Sequence, residues 1–152
     1  MSLHDFKLKT IDGEDFPLSS LAGNKVLLVN TASECGFTGQ FSVLQEMHEA
    51  FGDKVQIIGI PSNDFGNQDP GTNVEILGFC QKNYGVSFPM MEKVKVIGEN
   101  RHPLFAWLTA ELGQEVKWNF TKFLIDEEGE VVAMLSPDTL PADEQIMNWI
   151  NE

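Results

Sequence analysis

Two sulfurs offer this sequence its most direct chemistry, Cys35 and Cys80 being the whole cysteine content of the chain. Cys35 lies within Asn30-Thr31-Ala32-Ser33-Glu34-Cys35-Gly36-Phe37-Thr38. The run before it, Lys25-Val26-Leu27-Leu28-Val29, is apolar and partly β-branched, the pattern of a buried central strand. After it, Phe41, Leu44, His48 and Phe51 recur three and four apart, which is a helical stripe. Cys35 is therefore expected in a strand-to-helix loop, at or just before a helix N-terminus. Free N–H groups and the positive end of the helix dipole favour an anion there. A thiol so placed can have its pKa lowered, and the thiolate is the nucleophile. The competing reading is a small buried hydrophobe, the usual fate of a free cysteine.

No Cys-x-x-Cys motif is present, because Thr38 stands where its second thiol would be. His4, His48 and His102 are scattered without zinc-ligand spacing, so neither a metal nor another cofactor is expected. His48 reads as a packed or partly exposed side chain, since nothing beside it completes a proton relay.

The elements that must position Cys35 follow from the rest of the chain. Asp12-Gly13 between weakly alternating runs predicts a hairpin over residues 5–16. Strand 25–30, a helix over about 38–51 and an apolar strand at 55–60 form a β-α-β unit with a right-handed crossover. The second strand opens into Pro61-Ser62-Asn63-Asp64-Phe65-Gly66-Asn67-Gln68-Asp69-Pro70-Gly71, a polar loop at the strand ends, where open α/β sheets put their sites. A merely solvated turn would have the same composition. Thr72-Asn73-Val74-Glu75 fits a capping box that starts a helix at Asn73, and Gly85 can end it. Cys80 falls near the edge of that helix's apolar stripe, and its position alone favours a small core-facing residue. An irregular edge at Val94–Ile97, a helix from Pro103 to about 112, a strand over Lys117–Ile125 with two exposed-type lysines, a returning strand at Glu130–Leu135 and a last helix opened by Pro141 complete the order. It predicts an α/β fold with a mixed central β-sheet flanked by helices, parallel strands first and an antiparallel hairpin last. With a cysteine ahead of the first major helix, the layout is thioredoxin-like. No repeat or linker divides the chain, so residues 1–152 read as a single domain.

A net charge of −13 argues against nucleic acid and anionic membranes as partners. No apolar run approaches the roughly 20 residues of a spanning helix, and the first residues lack signal-peptide character. The expected location is cytoplasmic.

Four stretches then combine into something specific. The Cys35 segment, Gly66-Asn67-Gln68-Asp69-Pro70-Gly71, Phe88-Pro89-Met90 and Trp118-Asn119-Phe120-Thr121-Lys122-Phe123-Leu124 resemble the glutathione peroxidase family, in order and at family-like spacing, over nearly the whole chain. The resemblance implies a thioredoxin-fold peroxidase acting on hydrogen peroxide and organic hydroperoxides without metal or haem. Cys35 stands where the family carries its peroxidatic cysteine or selenocysteine, and Gln68, Trp118 and Asn119 where it carries the rest of a catalytic tetrad. Amide and indole N–H groups suit that role, since they stabilise negative charge without acting as bases. Cys80 matches the resolving cysteine of the thioredoxin-dependent branch, which would require the helix at 73–84 to unfold locally.

The departures also carry expectations. Few residues separate the helix ending near 112 from Trp118, where tetrameric glutathione-using members carry a long insertion. This suggests a monomer recycled by thioredoxin, with glutathione as the alternative reductant and a peroxide sensor or redox relay as the alternative role. Ser62 replaces a second loop cysteine common among relatives, Asp64 replaces an amide and Glu34 replaces a frequent lysine. Either acid would oppose a thiolate if it faced the sulfur.

Overall fold

The computed structural model describes all residues, Met1 to Glu152. From the N-terminus the chain forms a short hairpin, β1 (Lys7–Lys9) and β2 (Asp15–Pro17), then a 3-10 turn at Leu18–Leu21 and β3 (Lys25–Thr31). There follow α1 (Gln40–Phe51), β4 (Val55–Pro61), α2 (Asn73–Tyr84), α3 (Pro103–Leu112), β5 (Lys122–Ile125), β6 (Val131–Leu135) and α4 (Glu144–Ile150).

The main sheet has the strand order β4-β3-β5-β6. β3 and β4 are parallel from Lys25–Val55 to Thr31–Pro61, whereas β5 runs antiparallel to β3 and β6 antiparallel to β5. Every residue of β3 is buried, which explains its unbroken apolar run. Leu27, Val29 and Leu124 face one core with α1, α4 and the inner side of α2, while Val26, Leu28 and Phe123 face a second core with α3. The mixed, helix-flanked sheet expected from the sequence is the one observed. No helix is long and apolar enough to cross a membrane.

The capping box at Thr72 forms as expected: its hydroxyl accepts from the Glu75 N–H at 3.2 Å, and Glu75 Oε1 accepts from the Thr72 N–H at 3.1 Å. Gly85, at φ +59°, closes the helix in the left-handed region.

Four expectations need correction. α1 begins at Gln40 rather than near 38, because residues 36–39 are held in turns. α4 begins at Glu144, not at Pro141, since Asp143 caps it by accepting from the Gln145 N–H at 2.9 Å. Val94–Ile97, by contrast, is the irregular edge expected: the Val94 N–H donates to the Pro61 carbonyl at the end of β4 at 3.0 Å, and the N–H groups of Val96 and Ile97 donate to the Asp64 carboxylate at 2.6 and 3.3 Å.

The strand expected over Lys117–Ile125 is confined to its last four residues. Phe120 takes φ +63°, a left-handed conformation that breaks the extended run. Lys122 is buried rather than exposed, with its Nζ donating to the Pro137 carbonyl at 2.8 Å. Burial lowers its pKa to about 8, against the pull of Asp138.

Candidate active site

Cys35 sits in a turn between β3 and α1, 8% exposed. Its N–H donates to Thr38 Oγ1 at 3.0 Å, and that hydroxyl donates in turn to the Ala32 carbonyl at 2.9 Å. Thr38, noted in the sequence only for not being a second thiol, thus clamps the turn closed. The Phe37 N–H donates to Cys35 Sγ at 3.4 Å. Because Gly39 is the N-cap of α1, the sulfur lies about a turn ahead of the helix, and its donor is a turn amide. Sequence reasoning placed Cys35 correctly before the helix and missed the hydroxyl that shapes its turn.

Gln68, Trp118 and Asn119 come together from two loops. Asn119 is fully buried, and its Nδ2 donates to Gln68 Oε1 at 3.1 Å and to the Phe65 carbonyl at 3.4 Å. Trp118 packs on Phe65 with ring centroids 5.8 Å apart. Between Trp118 and Gln68 lies Gly66 at φ +64°, where an added Cβ would stand 3.0 Å from the Trp118 ring and 3.4 Å from Gln68 Cγ. Glycine is needed there for both conformation and space. The left-handed Phe120 makes the 118–119 turn possible: its N–H donates to the Asn30 carbonyl, and the Thr121 carbonyl accepts from the Asn30 N–H at 3.1 Å. These bonds fasten the turn to the end of β3, just before the Cys35 segment. The Gln68 carbonyl accepts from the Glu34 N–H at 2.8 Å, tying the second loop to the residue beside the thiol. Cys35 Sγ takes its hydrogen bond from Phe37 and not from the three side chains.

The two acids that would oppose a thiolate are differently placed. Asp64 directs its carboxylate to the 96–97 backbone, and Glu34 is exposed. A third acid, Asp69, passed without a role in the sequence, and only its contacts single it out. It is fully buried, and its Oδ1 accepts from the Ser33 N–H at 3.2 Å and the Ser33 hydroxyl at 2.7 Å.

Cys80 is fully buried on the inner side of α2 with Ile76, in the same core as Cys35. Both thiols are free. Burial, aided by the charge of Asp69, pushes the Cys80 thiol up to about 12. His48 is half-buried and meets the Phe88 ring edge-on at 6.1 Å, a packing role as expected.

A family model described as glutathione peroxidase matches residues 3–109. The chain belongs to the glutathione peroxidase family. It is thus a peroxidase on a thioredoxin-like fold, as the motifs of the sequence imply. It is 49% identical over 146 residues to the glutathione peroxidase homolog BsaA of Halalkalibacterium halodurans, covering 93% of each chain. To the hydroperoxy fatty acid reductase gpx1 of Synechocystis it is 44% identical over 157 residues, again covering 93% of each. Among solved structures, Trgpx in its apo form superposes with a TM-score of 0.76 at 37% identity, over 100% of this chain and 97% of that one. The dsbF protein of M. tuberculosis, at 19% identity and a TM-score of 0.62 over 97% of this chain and 96% of that one, shares the fold.

Proposed function

We propose that Cys35 is the peroxidatic sulfur of a hydroperoxide reductase, with Gln68, Trp118 and Asn119 as its neutral hydrogen-bonding partners and Cys80 as the resolving thiol. The observation that carries this reading is the join between the loops: Asn119 holds Gln68 beside Trp118, and the Gln68 backbone is bonded to the residue preceding Cys35.

In this scheme the Cys35 thiolate attacks one peroxide oxygen and the O–O bond breaks. The other oxygen leaves as alkoxide or hydroxide and takes up a proton, giving alcohol or water and a sulfenic acid on Cys35. Neutral N–H donors steady the departing charge. Cys80 then condenses with the sulfenic acid, forming the S–S bond and releasing water. A dithiol of the thioredoxin class returns both cysteines to thiols while becoming a disulfide itself. The name of one relative, a hydroperoxy fatty acid reductase, favours organic hydroperoxides among the substrates.

Cys80 is fully buried within α2 and its sulfur must be freed to meet Cys35 in disulfide geometry, so α2 is proposed to open during turnover. Its limited anchorage supports this, since only Ile76 and Cys80 of the helix are buried, while Leu77, Phe79 and Tyr84 pack on the core partly exposed. The short path between α3 and Trp118 supports a monomer recycled by thioredoxin rather than glutathione. Residues 1–152 are proposed to act as one cytoplasmic domain.

Mass spectrometry after one equivalent of hydrogen peroxide tests the reading. Cys35 is expected to oxidise first and a Cys35–Cys80 disulfide to follow in the peptide map. Oxidation that leaves Cys35 reduced at neutral pH would refute the assignment.

A further inference from the structure

The two oxygens of the Asp69 carboxylate are unequally served. Oδ1 has both Ser33 donors, whereas Oδ2 is buried with no hydrogen-bond partner. A buried carboxylate oxygen without a donor carries a desolvation cost that water would relieve. The location of this acid gives the cost a consequence. Ser33 belongs to the Cys35 turn, while the Asp69 and Gly71 carbonyls accept from Lys93 Nζ at 3.0 and 2.6 Å, and Thr72 then caps α2. Asp69 therefore stands where the turn of one thiol meets the root of the helix that carries the other. The titratable groups acting on it come from each neighbouring element: Glu34 from the Cys35 turn, Lys93 from the segment that follows Met91, and Cys80 from the inner side of α2.

We propose that Asp69 is a positioning residue for the second half-reaction: its ionised carboxylate primes the root of α2 to open and so sets how fast Cys80 reaches the sulfenic acid on Cys35. This rests on the function proposed above and names what controls one of its steps.

Burial raises the Asp69 carboxyl from an ordinary 3.8 to about 6, with the Ser33 bonds and Lys93 pulling it down and Glu34 pushing it up. An acid that holds its proton more tightly closed than open favours opening once it ionises. With the open form titrating as an ordinary carboxyl, the bias is absent below 3.8, grows up to about 6 and is fully developed at neutral pH. The same charge acts on the sulfur. In the closed helix, burial and Asp69 keep Cys80 protonated and inert. Opening removes both influences, and the thiol delivered to Cys35 ionises more readily. Its thiolate attacks Cys35 Sγ, the S–O bond of the sulfenic acid breaks, and the hydroxide takes up the proton that Cys80 lost, leaving as water. No further oxidant or reductant enters this step.

The test follows the two half-reactions separately in the full chain. Protein is mixed with one equivalent of hydrogen peroxide between pH 4.5 and 7.5 and quenched at intervals. The Cys35 sulfenic acid is trapped with dimedone, and the disulfide is quantified by mass. In the wild type, the disulfide rate is expected to rise more steeply with pH below about 6, where Asp69 ionisation adds to that of Cys80, than above it. In Asp69→Asn, Cys35 is still oxidised, but the disulfide forms at least about tenfold more slowly at pH 7 and the extra steepness below about 6 is lost, leaving only the rise from Cys80 ionisation. The amides of residues 73–84 should then exchange more slowly. Asp69→Asn forming the disulfide at the wild-type rate or faster, as for a mere structural prop, would overturn the inference. Ser33→Ala provides a second reading, because losing a hydrogen bond to the ionised form should move the midpoint to higher pH, and an unmoved midpoint counts against the proposal. Wild-type Cys35 that stays reduced refutes the peroxidase assignment itself, and this inference with it.

Discussion

Asn119 donates its side-chain amide to Gln68 Oε1 at 3.1 Å, joining residues 51 positions apart. The bond occupies the acceptor of Gln68 and leaves the Gln68 amide hydrogens as the donors this pair can offer. Asn119 is fixed from below by its second bond, to the Phe65 carbonyl, and by complete burial. Two neutral side chains are thus held in one orientation before any substrate arrives, which is what stabilising a developing charge requires.

The pair should behave as a unit. Gln68→Ala and Asn119→Ala are each expected to lower kcat/KM for hydrogen peroxide by about 10²-fold. The double variant should fall well short of the product of the two effects, since removing either partner breaks the same bond. Stopped-flow measurement of Cys35 oxidation in all four proteins checks this.

Replacing the attacking sulfur is a harsher change. Cys35→Ser should lose at least about 10³-fold in peroxide reduction, while its circular dichroism and melting temperature stay close to wild type. Loss of activity with loss of fold would not support the assigned role.

Cys80→Ser should separate the half-reactions. Cys35 is expected to form its sulfenic acid and yield a stable dimedone adduct, while thioredoxin-coupled NADPH oxidation drops by at least about tenfold. Assays with thioredoxin and its reductase, run beside glutathione and its reductase, identify the preferred reductant in the wild type.

Lys122 predicts a pH dependence of stability. Its folded pKa of about 8 lies below its ordinary 10.5, so the unfolded chain holds this proton more tightly than the fold does. The buried ammonium therefore destabilises the protein fully below about 8, and the penalty fades as pH rises to 10.5. Lys122→Met should raise the unfolding free energy at pH 7 by up to about 3 kcal/mol, reduced by the lost bond to Pro137. Urea titrations at pH 7 and pH 10 should show the gain shrinking at the higher pH.

Much of this protein was legible in its sequence because local signals and burial agreed. The apolar run read as a buried strand over 25–30 is buried along its whole observed length, and Thr72-Asn73-Val74-Glu75 satisfies its helix terminus by itself. The order of strands and helices then led to the mixed sheet. The strand-to-helix setting singles out Cys35, motif resemblance adds Gln68, Trp118 and Asn119, and the structure brings those three together.

Tertiary structure decided the rest, for reasons of long-range pairing that no local pattern encodes. Lys117–Ile125 alternates like one strand, yet Phe120 is held left-handed by its bond to Asn30, so Trp118 and Asn119 turn toward the 65–68 loop. Lys122 read as exposed, but the chain that returns through Pro137 covers it and supplies its acceptor. Asp69 looked like one more polar loop residue until folding placed it on Ser33 and within electrostatic reach of Cys80. Local patterns of residues dictate which elements form and which sulfur stands before the first long helix. Packing determined which polar groups lost their water, and that loss of solvent distinguishes a site from a surface.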